Sequence, residues 1–124
     1  MKKSISIVLA SAIAIMFSSA AFANKSSVDI VVPDSVKAGT EVTITLNISH
    51  RGNTDKHFTN WVWVKVDGKE IARWDFTATK LPESEKFKRE VKIKVSADTV
   101  IEAQANCNLH GSEGITKKKI SVAK

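Results

Sequence analysis

From Thr40 to Ser49 the chain alternates without a break. Val42, Ile44, Leu46 and Ile48 fall on one side; Thr43, Thr45 and Asn47 fall on the other. A period of two is that of a strand with one face buried and one in water. It returns in Val91, Ile93 and Val95, with charged residues between, and in Ile101, Ala103 and Ala105, a face that Cys107 continues. The stretch from His57 to Val66 sets Val62, Val64 and Val66 against Trp61 and Trp63. Asp67-Gly68 follows, a pair that suits the positive φ of a tight hairpin turn. It predicts that Lys69 to Phe76 returns as the partner strand, carrying Ile71 and Trp74. Val28 to Val32, stopped by Pro33-Asp34, and Ile115 to Val122 complete the strand-like set. Lys37-Ala38-Gly39 reads as a turn, and 50–56, 77–86 and 108–114 read as loops.

No helical period interrupts this series. About seven short strands with regular turn signals predict an all-β chain, an antiparallel sandwich of immunoglobulin-like type. The tryptophans are expected to be core or rim packing. Such a fold gathers loops from distant sequence at its two ends. The loop at His50–His57 and the loop at Cys107–His110 can therefore meet if they lie at the same end.

The first 23 residues have another pattern. Lys2 and Lys3 precede an apolar run from Ile5 to Phe17, and Ala21-Phe22-Ala23 is a small-x-small cleavage site. This is the plan of a secretory signal peptide. The run is shorter than the roughly 20 apolar residues of a membrane-spanning helix. The expected mature chain is one domain, 24–124, periplasmic or secreted, with no membrane attachment after cleavage. Removing Lys2 and Lys3 takes the 19 basic residues to 17 against 13 acidic, a net of +4. The lysines are dispersed and no arginine cluster occurs, so nucleic acid is not an expected partner. A positive field of this size can steer small anions.

Composition narrows the chemistry further. The chain has one cysteine, Cys107, and three histidines, His50, His57 and His110. A single cysteine cannot close an internal disulfide, which leaves an intermolecular bond, a free thiol or a metal ligand. A free exposed thiol outside the cytoplasm tends to oxidise. Thiolate and imidazole are the donors that transition metals prefer. All four fall in two short windows, and the spacing of Cys107 and His110 lets one turn aim both at a point. His50, His57, Cys107 and His110 are thus the candidate ligands of one metal ion.

These residues resemble a family. Cys107-Asn108-Leu109-His110-Gly111 is similar to the Cys-Asn-x-His-Gly signature of superoxide reductases, the iron domain of desulfoferrodoxin and neelaredoxin. His57-Phe58-Thr59-Asn60-Trp61-Val62 looks like that family's second histidine element, and His50 like its first histidine. The resemblance implies an immunoglobulin-like sandwich holding one mononuclear non-haem iron. Cys107 would be the axial thiolate and His50, His57 and His110 equatorial imidazoles. The substrate would be superoxide, reduced to hydrogen peroxide with an electron from an outside donor. A thiolate ligand suits that task by pushing electron density toward the iron.

The chain also departs from the family pattern. The family's N-terminal Glu-Lys-His-x-Pro string has no counterpart with histidine. Lys25 falls at the lysine, where it would attract the anion, and Ser26 falls at the fourth equatorial histidine. The His50–His57 loop is one residue longer than usual and carries Arg51 in place of proline; Ser112-Glu113 replaces Leu-Trp after Gly111. Three other readings stay open on the residues alone. A blue-copper electron carrier uses two histidines and a cysteine, but Met1 and Met16 would leave with the signal and no axial methionine would remain. Three histidines and a cysteine satisfy structural zinc. In a sandwich without metal, Asn108 and Gly111 would simply build a turn.

Overall fold

The computed structural model describes residues 25–123. The expected signal segment, 1–23, and the outermost residues Asn24 and Lys124 lie outside the described residues.

Among the described residues eight strands form: β1 (Ser27–Val31), β2 (Ser35–Lys37), β3 (Thr40–Ser49), β4 (Thr59–Val66), β5 (Lys69–Asp75), β6 (Lys86–Val95), β7 (Thr99–Cys107) and β8 (Thr116–Ala123). They build two sheets, one ordered β1-β3-β6 and the other β2-β8-β7-β4-β5. Every pairing is antiparallel except β2 with β8. The eighth strand is β2, of which the sequence pattern assigns only Lys37, to a turn. Three residues are too few to show a period, and its partner β8 lies more than eighty positions away.

The alternation of β3 is realised directly. Val42, Ile44, Leu46 and Ile48 are at most 3% exposed and meet Val62, Val64, Ile101, Ala103, Ala105 and Ile120 from the other sheet. Burying a side chain the size of Ile or Leu contributes about 1.5–3 kcal/mol, so these facing rows hold the sheets together. The turn between β4 and β5 is the expected one: Asp67 and Gly68 have φ of 49° and 84°. Two of the three tryptophans are packing residues, as expected. Trp74 is half-buried against the core, and Trp63 is buried on the opposite face of its sheet beneath Lys65, whose Nζ lies 4.6 Å from the ring centroid.

Most strand ends fall within one residue of the sequence pattern, and one differs by more. β4 starts at Thr59, not His57. His57 instead closes a local turn with Thr54, each backbone N–H donating to the other's carbonyl at 2.9 and 3.2 Å. That turn gives the imidazole its own short arm, separate from the ladder.

Candidate metal centre

The phase of two strands sets half of the site. β3 buries Ile44, Leu46 and Ile48, and two positions further on His50 keeps the inward phase and is 6% exposed. β7 buries Ile101, Ala103 and Ala105, and Cys107, at 1% exposure, continues that row. The two strands belong to different sheets, so their last inward side chains face each other at one end of the sandwich. The nitrogen and sulfur ligand atoms of His50, His57 and Cys107 all lie within 4.8 Å of one another.

Loops bring the rest. His110 Nδ1 lies 3.9 Å from Cys107 Sγ and 3.2 Å from His57 Nε2. The His50 and His57 rings meet edge to face at 4.6 Å, and those of His57 and His110 at 5.0 Å. All four sequence-predicted ligands therefore gather in one cluster, with Cys107 and His50 buried, His57 half-buried and His110 exposed.

The loop that returns from β7 closes on itself. Cys107 N–H donates to the Gly111 carbonyl at 2.8 Å, and Gly111 N–H donates back at 3.0 Å. Gly111 has φ of 81°, a left-handed conformation open to glycine at little cost. Inside this loop the backbone N–H groups of Leu109 and His110 both point at Cys107 Sγ, 3.4 Å away. Such donors stabilise the negative charge of a thiolate.

The His50 side is also prepared. His50 Nδ1 lies 2.7 Å from the Gly52 carbonyl, which can only accept, so Nδ1 carries the proton. In the neutral ring Nε2 is then a bare lone pair, and this atom is buried without a hydrogen-bond partner. An orphaned buried acceptor is costly unless something fills it, and a metal ion would. Glu85 holds the Gly52 turn in place: its carbonyl accepts the His50 N–H at 2.9 Å and its carboxylate accepts the Gly52 N–H at 2.5 Å. Gly52, at φ of 130°, lies against the His57 ring, and a Cβ there would sit 2.8 Å from Nδ1.

This arrangement fits a transition metal. Bonds of about 2.0–2.3 Å from one ion place neighbouring donors about 3–4 Å apart, the range of the separations at His110. The His57 pKa is lowered from the ordinary imidazole value, first by burial, then by the nearby His50 and His110. A neutral His57 is the form that coordinates.

Two other residues singled out by the sequence lie close by. Lys25 lines an open cleft of about 760 Å³ whose wall includes His50, Arg51, Glu85, Lys86 and Glu113. Ser26 is fully buried, and its hydroxyl pairs with Thr59 Oγ1 at 2.8 Å. Its backbone is tied to the cysteine loop, with its N–H donating to the Gly111 carbonyl at 3.3 Å and its carbonyl accepting from Glu113 at 3.0 Å. Thr59 is the ladder partner of Cys107, so the hydroxyl pair lies beside the cluster.

The sequence did not point to Glu85, Gly52 or Thr59 as supports of the site. Only Gly52 carried a signal, a glycine inside a polar loop between two histidines.

A family sequence model, desulfoferrodoxin, matches residues 19–113 and spans all four clustered side chains. The chain belongs to the desulfoferrodoxin family. No curated protein matches the chain. Solved structures do. A superoxide reductase (neelaredoxin) from Ignicoccus hospitalis aligns over 80% of this chain and 82% of its own, with 22% identity and a TM-score of 0.66. The sulfur carrier protein SoxY from Chlorobium limicola aligns over 78% and 79%, at 14% identity and a TM-score of 0.55. A CARDB domain from Pyrococcus furiosus, solved in complex with di-metal ions, aligns over 79% and 87%, at 16% identity and 0.61. Proteins so differently described share this sandwich. The likeness to each is one of fold, and the neelaredoxin-like immunoglobulin-like architecture is the expected one.

Proposed function

We propose that this desulfoferrodoxin-family chain is an exported, mononuclear non-haem iron protein that reduces superoxide to hydrogen peroxide. The observation that carries the reading is the convergence of His50, His57, Cys107 and His110 at one end of the sandwich, with a bare, buried Nε2 on His50. Iron held there would supply one-electron chemistry, each turnover taking one electron from an external donor and two protons from water to convert superoxide to hydrogen peroxide.

The chain's own residues supply the setting. Cys107 provides the thiolate, held by the two loop N–H groups. His50, His57 and His110 would provide imidazole nitrogens. Lys25, Arg51 and Lys86, set against Glu85 and Glu113 in the same cleft wall, leave it a small positive excess toward which superoxide drifts. Ser26 stands where the family carries a fourth imidazole, and its hydroxyl is occupied by Thr59. The ligand set is therefore three nitrogens and one sulfur. The signal-like segment 1–23 supports a periplasmic or secreted location.

Three nitrogens and a sulfur also satisfy tetrahedral zinc, and bare affinity favours copper or zinc over ferrous iron. The test is metal content of protein purified from its native compartment, joined to rapid-mixing measurement of superoxide consumption normalised to bound iron. Iron with consumption proportional to it supports the proposal. Stoichiometric zinc or copper without superoxide consumption overturns it.

A further inference from the structure

Asn108 lies in the cysteine loop, yet its hydrogen bonds reach across to the other chain segment of the site. Its side-chain Oδ1 accepts the Phe58 backbone N–H at 2.9 Å. Its Nδ2 donates to the Lys56 carbonyl at 3.1 Å. Its own backbone N–H donates to the Phe58 carbonyl, also at 3.1 Å. Oδ1 meets a group that only donates and Nδ2 a group that only accepts, which fixes the amide orientation. The same Oδ1 is 4.0 Å from Cys107 Sγ.

These three bonds flank one residue. Lys56 and Phe58 are the neighbours of His57, so the main chain on both sides of that histidine is fastened to the residue next to Cys107. His57 lies outside the ladder: β4 starts at Thr59, and the arm that bears the ring is the partly exposed loop 51–57. Besides Asn108, the Thr54 turn, the packing of Gly52 against the ring and the contacts with the His50 and His110 rings bear on where Nε2 points, but only Asn108 fastens the main chain on both sides of His57 to the cysteine loop. A side chain that merely built the cysteine loop would bond within it. This one spends both ends of its amide on backbone more than forty residues away in sequence.

We infer that Asn108 is the positioning residue for His57: it locks that imidazole into register with the Cys107 thiolate. The inference rests on the metal-site reading above and adds a named support to it. Asparagine suits the task because one planar group presents a donor and an acceptor 2–3 Å apart, matching the Phe58 N–H and the Lys56 carbonyl. Aspartate keeps the acceptor and loses the donor. Alanine loses both.

The test is a double-mutant cycle on affinity for Co²⁺, a probe whose visible bands report both the thiolate bond and the coordination number. Asn108→Ala should weaken Co²⁺ binding about 10–100-fold, the usual cost of removing an outer support of a metal ligand. Asn108→Asp should fall between it and the native protein. In a His57→Ala background, Asn108→Ala should change affinity by less than about twofold, since the ligand it positions is gone. The thiolate-to-cobalt band should persist in Asn108→Ala while the visible d–d bands change. A general folding role would weaken binding equally in both backgrounds, and that result overturns the inference, as does native affinity in Asn108→Ala. If Asn108→Ala does not fold, Asn108→Asp in the two backgrounds decides on the same criterion. If His57→Ala alone leaves Co²⁺ affinity unchanged, the metal-site reading fails and the inference falls with it.

Discussion

The Ser26–Thr59 pair offers a direct measurement of what the N-terminal arm contributes. Both residues are at most 1% exposed, and their hydroxyls are 2.8 Å apart. Ser26→Ala removes one partner and strands Thr59 Oγ1 beside the cluster. An unsatisfied buried hydroxyl costs about 1–3 kcal/mol. For a domain of this size each kcal/mol moves Tm by about 4–8 °C, so Ser26→Ala should lower Tm by roughly 4 °C or more. Thr59→Val strands Ser26 in the same way. The double variant Ser26→Ala, Thr59→Val removes both polar atoms while nearly keeping the shape, and such a swap can be close to neutral. The double variant should therefore be more stable than the sum of the single losses, by about 1 kcal/mol or more. Denaturant and thermal unfolding of the four apo proteins measures the cycle. Additive losses would refute the argument that the two hydroxyls satisfy each other.

Four further outcomes are expected. Cys107→Ser should abolish the sulfur-to-metal charge-transfer band and superoxide consumption while the sandwich stays folded by circular dichroism. Gly52→Ala forces a side chain into a left-handed φ of 130° and within 2.8 Å of His57 Nδ1; it should destabilise by about 1 kcal/mol or more and weaken metal binding measured by competition with a chelator. Lowering pH should destabilise the apo protein through His57: its folded pKa is depressed below the ordinary value of about 6.5, so the unfolded chain binds the extra proton first. Its contribution is whole above that ordinary value and is lost as pH falls through the folded one, and a pH series of Tm on native and His57→Gln proteins should show the difference. Ser26→His should lower apo Tm, because an imidazole must enter a fully buried position, yet enlarge the Tm rise on adding iron; an unchanged rise would show that position 26 does not face the metal.

The sandwich was legible because β3, β6 and β7 carry the period of two, and because Asp67-Gly68 marks its hairpin. Strand β2 was not, since three residues hydrogen-bonded in parallel to a distant segment leave no local trace. The four candidate ligands were legible by chemistry, as the chain's entire stock of cysteine and histidine. Their supports were not. Asn108 binds backbone around His57, and backbone partners carry no sequence signature. Ser26 and Thr59 are ordinary hydroxyl residues until the fold makes each the other's partner.

This division has a physical root. His50 and Cys107 hold the next inward positions of strands whose earlier inward residues are core, so the packing of two sheets places them. That half of the cluster is fixed by the same hydrophobic burial that makes the fold. His57 and His110 stand on loops, and their places depend on a few directed contacts: the Asn108 amide, the Gly52 approach to the ring and the closed Cys107–Gly111 loop. Substitutions in the core should move the first pair only by unfolding the protein. Substitutions in the loops should move the second pair while the sandwich stands. A cluster built this way can exchange the identity and reach of its loop-borne donors without disturbing its strand-borne pair.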